Sequence, residues 1–235
     1  MMDVIVDFQL VTKEYGTREN RTLALNEASF QIRQGEFVVI LGPSGAGKST
    51  ILNLLGGMDS PTRGEILIEG KNIVDFSENQ LADYRGKHIG FVFQFYNLIP
   101  TLTVQENVAL MKELNKDSMP SESALAMVGL QDHLHKFPSQ LSGGEQQRVS
   151  IARAICKNPT LMLCDEPTGA LDSQTGMLVL TQLQELCRSQ GQTTIIVTHN
   201  AAISKAADRV IYVKNGRIEQ VVEQAEPCAI SEVVW

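Results

Sequence analysis

The chain has 235 residues, with 20 Lys+Arg against 27 Asp+Glu, a formal net charge of -7, 43% hydrophobic and 20% charged residues. This balance suits a soluble globular protein and excludes a disordered acidic tail or a collagen-like fibre; the acidic excess argues against nucleic acid as a partner. No run of roughly 18 apolar residues offers a membrane-spanning helix, the start MMDVIVDFQL lacks the basic stretch of a signal peptide, and Cys156, Cys164, Cys187 and Cys228 show no CxxC spacing, which fits free thiols.

In chain order, Asp3 to Leu10 alternates weakly and Leu23 to Ile32 reads as a second strand. Gln34-Gly35 makes a turn, and Glu36 to Leu41 is a short apolar strand that runs into a glycine-rich loop. A helix is expected from about Lys48 to Leu55, a strand over Gly64 to Glu69, and a short helix opened by the capping box Ser77 to Gln80. Ile89 to Phe93 reads as a buried strand. From Thr101 to Lys157 the signals are helical: a second capping box at Thr103 to Glu106, a helix over Ser121 to Val128 with Gly129 past its end, and a longer one over Gly143 to Lys157 stopped by Asn158-Pro159. Strands return at Leu161 to Cys164 and Thr193 to Val197, around a helix from about Gln174 to Gln190. Val210 to Lys214, Asn215-Gly216 and Arg217 to Val222 read as a hairpin with a type I′ turn. Residues 223–235, ending in Val233-Val234-Trp235, show no pattern and are expected to be disordered or weakly docked. Strands and helices alternating on both sides of a helical insert imply one α/β unit with a helical lobe.

Three motifs carry chemistry. Gly42-Pro43-Ser44-Gly45-Ala46-Gly47-Lys48-Ser49 fits GxxxxGK[ST] between a strand and a helix, with Thr50 following. Its glycines let backbone N–H groups and a positive helix end cradle phosphates; Lys48 should reach the β- and γ-phosphates and Ser49 should hold Mg²⁺. The alternative is a chance glycine-rich turn. Leu161 to Cys164 ends in Asp165 and Glu166: the first is placed to bind Mg²⁺ through water, the second to orient or deprotonate an attacking water, unless both are plain strand-end carboxylates. Leu141-Ser142-Gly143-Gly144-Glu145 opens the long helix, with Ser142 as its N-cap candidate. Two glycines there expose N–H groups at a second positive helix end, which as an ordinary capped helix would carry no function.

Phosphate loop, LSGGE and Asp-Glu in this order resemble the ATP-binding cassette family over about residues 3 to 222. The resemblance implies an α/β fold: a P-loop NTPase cassette with a RecA-like core, an N-terminal antiparallel β subdomain and a helical subdomain. Its division would be a single ABC ATPase domain over 1–235, with 1–94 and 159–222 in the β-subdomain and core, 95–158 helical, and 223–235 a tail. It further implies that Gln94 is the glutamine that touches Mg²⁺ or water, that Ala170-Leu171-Asp172 crosses to a second subunit, that His199 contacts the γ-phosphate, and that Tyr15 stacks on adenine. His88, His133 and His135 receive no role. The implied cofactors are ATP and Mg²⁺, with ATP sandwiched in a head-to-tail homodimer between one phosphate loop and the other LSGGE.

The stretches FVFQFYNLIPTLTVQENV, LGGMDSPTRGEILIEG and DEPTGALDSQTG resemble ATPases of lipoprotein-release, macrolide-export and peptide-resistance systems, the LolD/MacB type. This implies separate transmembrane permease subunits of the FtsX/MacB kind, a possible periplasmic or extracellular accessory protein, and a place on the cytoplasmic face of the membrane. The stretch between Val108 and Gly129 is several residues shorter than that type leads one to expect. The alternatives are a non-transport complex that controls cell-wall hydrolysis in division, and an ATPase with no membrane partner, such as a sulfur-assembly factor.

Overall fold

The structure, a computed structural model, describes residues 3–17 and 20–233. In chain order the elements are β1 Val4–Tyr15, β2 Thr22–Arg33, β3 Phe37–Leu41, α1 Lys48–Leu55, β4 Arg63–Ile68, β5 Lys71–Asn72, α2 Glu78–Lys87, β6 Ile89–Val92, α3 Val104–Ala109, α4 Met111–Leu114, α5 Ser121–Met127, α6 Gly143–Ile155, β7 Leu161–Asp165, α7 Ser173–Gln190, β8 Thr193–Thr198, β9 Arg209–Lys214 and β10 Arg217–Glu223. The apolar end of the tail beyond Val233 lies outside the described residues.

The strands form two sheets. One has the order β2-β1-β4-β5 and is antiparallel throughout. The other has the order β10-β9-β3-β8-β7-β6, parallel except for the β9–β10 hairpin. In that hairpin Asn215 and Gly216 have φ of 49° and 73°, as a type I′ turn requires. β3 reads FVVIL with every residue buried, because a central parallel strand is covered on both faces. Alternate side chains therefore enter different cores. Val38 and Ile40 pack with α1 and the antiparallel sheet, whereas Phe37, Val39 and Leu41 pack with α6, α7 and the helical lobe. Between residues 95 and 158 the described chain holds helices and turns only.

Most element bounds fall within two residues of the sequence reading. The long helix α6 ends at Ile155 rather than Lys157. Asn158 takes the left-handed φ of 49° that stops it, and Lys157 instead turns its Nζ to the Arg85 carbonyl at the end of α2, 2.7 Å away. Residues 224–233 depart further from expectation. They lie against α7, with a 3₁₀ turn at Ile230–Glu232 and with Ile230 and Val233 buried. Two apolar residues three apart on one turn are too short a pattern to stand out in a sequence. The thiols of Cys156, Cys164 and Cys187 are buried; burial pushes Cys187 up to about 11 and Cys164 higher still, which leaves them unreactive.

Candidate active site

The strand β3 delivers the chain into the loop 42–47, and α1 leaves it. Close packing dictates the glycines: a Cβ at Gly42 would stand 2.1 Å from the Val213 carbonyl, and one at Gly47, whose φ is 105°, would stand 2.5 Å from the Ala24 carbonyl. The loop is pinned from outside by Gly216 N–H, which donates to Ala46 O at 3.0 Å, and closed internally by Ala46 N–H to Pro43 O at 3.2 Å. Lys48 is buried, and its Nζ donates to Gly42 O at 2.8 Å and Pro43 O at 3.0 Å. The ammonium is thus held over the mouth of the loop by carbonyls that an anion can replace.

β7 ends at Asp165, whose Oδ1 accepts from Ser49 Oγ at 3.1 Å. Burial and the adjacent Glu166 carboxylate hold Asp165 above the usual carboxylate range, opposed by Ser49 and Lys48. A hydroxyl and a carboxylate are the hard oxygen donors that Mg²⁺ prefers. Among the described residues no group of three or more His, Cys, Asp or Glu could hold a metal alone, so an ion here would complete its shell with phosphate and water. The next residue, Glu166, has a left-handed φ of 46°, fixed by its N–H donating to Val197 O at 3.0 Å. Such a conformation in a non-glycine residue costs of order 1 kcal/mol or more and is tolerated where the surroundings impose it. Here it aims the Glu166 side chain at the end of β8. Its Oε1 lies 2.9 Å from His199 Nδ1, and its Oε2 accepts from Thr198 Oγ1 at 3.4 Å.

These groups share a cleft of ≈ 720 Å³ lined by Ser44, Gly45, Gly47, Lys48, Ser49, Thr50, Asp165, Glu166 and His199. Gln94, just past β6, lines it too, and Gly169 lets that side chain in: a Cβ there would stand 2.7 Å from Gln94 Nε2. Thr22, Leu23 and Ala24 of β2 form the remaining wall, which the sequence reading missed. They reach the cleft only because the antiparallel sheet folds over the phosphate loop, and no local motif signals that.

The other predicted residues stand elsewhere. Ser142, Gly143, Gly144 and Glu145 open α6 and do not line this cleft. Ser142 is the N-cap as expected: its N–H and Oγ donate to Glu145 Oε2 at 2.7 and 2.8 Å. Those bonds hold Glu145 below the usual carboxylate range. His133, given no role from sequence, closes the same box with Nε2 3.1 Å from Glu145 Oε1. Gly144 is glycine because a Cβ would stand 2.1 Å from Thr175 Cγ2 on α7. Asp172 caps α7 by accepting from Gln174 and Thr175 N–H at 3.1 and 3.0 Å. Tyr15 also lies outside the cleft lining. Its hydroxyl donates to Asp59 Oδ2 at 2.8 Å, and Lys13 Nζ lies 4.8 Å from its ring centroid. Gln147, fully buried on α6, joins the two regions by donating to Phe93 O at 3.2 Å and Pro167 O at 2.9 Å, next to Gln94 and Glu166.

The chain is similar to known proteins over most of its length. The family profile described as ABC transporter matches residues 25–169. The ABC transporter ATP-binding protein MJ1508 of Methanocaldococcus jannaschii is 44% identical over 225 residues, covering 94% of this chain and 100% of that one. The macrolide export ATP-binding/permease protein MacB of Pasteurella multocida is 43% identical over 223 residues, covering 93% of this chain and 34% of its own. Among solved structures, the dimeric post-hydrolysis state of the ATP-binding cassette MJ0796, also of Methanocaldococcus jannaschii and bound to ADP and Pi, superposes with a TM-score of 0.84 at 41% identity, covering 93% of this chain and 98% of that one.

Proposed function

The chain belongs to the ABC transporter ATP-binding family, and on that premise we propose that it is the ATPase subunit of an exporter whose membrane-spanning permease is a separate polypeptide. It binds ATP with Mg²⁺ and hydrolyses it, and its sequence is of the LolD/MacB type. The observation that carries the ATPase part of the reading is the pairing of Glu166 with His199 in the cleft that holds Lys48 and the Ser49–Asp165 pair; its export part rests on the relatives.

In this reading the backbone N–H groups of 44–49 and Lys48 would hold the phosphates, and Ser49, Asp165 and Gln94 would hold the metal. Bound Mg²⁺ would neutralise charge on the β- and γ-phosphate oxygens. The Glu166 carboxylate orients the attacking water and draws its proton, while His199 keeps that carboxylate aimed and faces the γ-phosphate. Asp165 and Glu166, adjacent in sequence, divide the work between metal and water. Tyr15, outside the cleft lining, is assigned to an adenine that projects beyond the cleft. Ser142, Gly143, Gly144 and Glu145 stand outside the cleft, so their helix-end donors serve the cleft of a second copy in a head-to-tail homodimer, which Asp172 also reaches. The dimeric state of the MJ0796 cassette supports that assembly.

No described helix is long and apolar enough to cross a membrane, and MacB, whose name joins an ATP-binding to a permease function, is matched over only a third of its length. Membership of the transporter family supports a membrane-spanning partner, with this subunit on the cytoplasmic face of the membrane. Phe95, 71% exposed beside Gln94, offers such a partner an apolar foothold next to the site. The division of the chain at residues 95–158 follows the same reading, with that lobe as the part that meets the permease.

The experiment is Glu166→Gln. The amide keeps the shape but cannot take a proton, so turnover should fall by about a hundredfold or more while ATP binding persists. Gel filtration with Mg-ATP should then show a stable dimer. A variant that stays monomeric at saturating ATP would argue against the sandwich.

A further inference from the structure

Immediately behind His199 the chain makes a short 3₁₀ helix, Ala201–Ala206, and its far end is held from outside. Asn200 caps the near end by accepting from Ala202 N–H at 2.9 Å. At the far end three consecutive carbonyls are each met by a donor from elsewhere. Ser204 O accepts from Gln224 Nε2, Lys205 O from Cys228 N–H at 3.1 Å, and Ala206 O from Gln184 Nε2 at 3.1 Å. Helix ends leave carbonyls without internal partners; of these three, Ser204 O also accepts from Ala207 N–H at 3.2 Å within the turn. Two of these donors lie in the segment 224–233, and the third is a side chain of α7.

Gln184 ties the arrangement together. Its Nε2 also donates to Cys228 O at 3.1 Å, and its Oε1 accepts from Ile230 N–H at 2.9 Å. Ile230 and Val233 then enter the same apolar cluster as Ile203, Ala206 and Ala207. The segment 224–233 is a strap, clasped to α7 by one amide and to the turn by backbone and side-chain bonds. His199 itself has little else to fix it. Its side chain is 71% exposed, and among the described residues its one side-chain hydrogen bond is to Glu166. The position of the ring therefore depends on the backbone of 198–200 and on the turn that continues it.

We propose that Gln184 and the strap 224–233 are positioning elements for the His199–Glu166 pair, setting the turnover rate without touching nucleotide. The proposal rests on the catalytic reading of that pair given above. A displacement of about 1 Å at a reacting group can cost up to about a hundredfold in rate, so a loosened turn should slow hydrolysis while leaving the phosphate loop, and hence ATP affinity, alone.

The test uses the full chain and a double-mutant cycle. Gln184→Met removes the three hydrogen bonds of the side-chain amide and keeps the length of the side chain. At a temperature where the protein is fully folded it should lower kcat by about five- to tenfold, with KM for ATP changed by less than about twofold. In a His199→Ala background the same substitution should change kcat by less than about twofold, because the group it positions is gone. Ile230→Asp, which expels the strap from the core, should give the same kinetic pattern, and the amides of 201–207 should exchange faster with deuterium. An unchanged kcat in a folded Gln184→Met protein overturns the proposal, as does an equal loss in both backgrounds. A His199→Ala protein with wild-type kcat overturns the histidine reading itself and the strap's role with it; a slow His199→Ala protein in which Gln184→Met costs as much again overturns the strap alone.

Discussion

Lys48 is held ready by the loop it serves, its ammonium on the carbonyls of Gly42 and Pro43. Exchange of those neutral acceptors for phosphate oxygens turns two ammonium–carbonyl hydrogen bonds into ion-paired ones, and hydrogen bonds to charged groups are each worth about 1.5–3 kcal/mol. Lys48→Ala should therefore weaken ATP binding by at least roughly tenfold, read by titration calorimetry; undiminished affinity would remove Lys48 from the phosphate site. His199 was named only through the family resemblance, whereas Lys48, with Ser49, Asp165 and Glu166, was legible in the sequence because each sits in a local motif at a strand end. The reasons behind the motif were not. Gly42 must be glycine because Val213 O, more than a hundred and fifty residues on, leaves no room for a Cβ. Glu166 aims correctly only through a left-handed backbone pinned to Val197, and neither constraint leaves a trace within a few residues of the site.

At the scale of elements, helix starts were readable and attachments between elements were not. The boxes at Ser77–Gln80, Thr103–Glu106 and Ser142–Glu145 form as their S/T-x-x-E/Q spacing predicts. The strap was invisible because its partners, Gln184 and the carbonyls of 204–206, lie far away in sequence. The joint between α6 and α2 is of the same kind. Lys157 is buried after α6 and caps α2 at Arg85 O, and burial, with Arg153 nearby, lowers it to about 8. The unfolded chain, with an ordinary lysine, holds that proton more tightly than the fold does. Stability therefore rises with pH from about 8 to the ordinary lysine range, and below pH 8 the cost of charging the buried amine bears fully on the fold. Against Lys157→Met, which has no such proton, the wild type should gain stability across that window by an amount of order 3 kcal/mol. Urea midpoints at pH 7.5 and 10 measure this, and parallel profiles for the two proteins would contradict it.

For the whole molecule, the fold class was legible, since strand–helix alternation around a helical stretch appears directly in the sequence, but the strand order was not. In the proposed reading one chain does not hold a complete site: the residues at the start of α6 are absent from the lining of the cleft of their own chain. Ser142→Arg should accordingly leave the affinity of each subunit for ATP within about twofold, while abolishing ATP-driven dimerisation and lowering turnover by more than about tenfold. Light scattering with Mg-ATP and a phosphate-release assay decide it; normal turnover would refute the cross-subunit role. The sheet order β10-β9-β3-β8-β7-β6 has a temporal counterpart. β3, which carries the phosphate loop, pairs only with β8 and β9, so Phe37 meets Thr194 and Val38 meets Arg209. A chain emerging from the ribosome at about 5–20 residues per second exposes the phosphate loop well before β8 and β9, the strands that flank β3, have been made. A synthesis interrupted before β8 yields a fragment that carries the phosphate loop in its sequence but lacks both sheet neighbours of the strand that presents it, and lacks His199 as well.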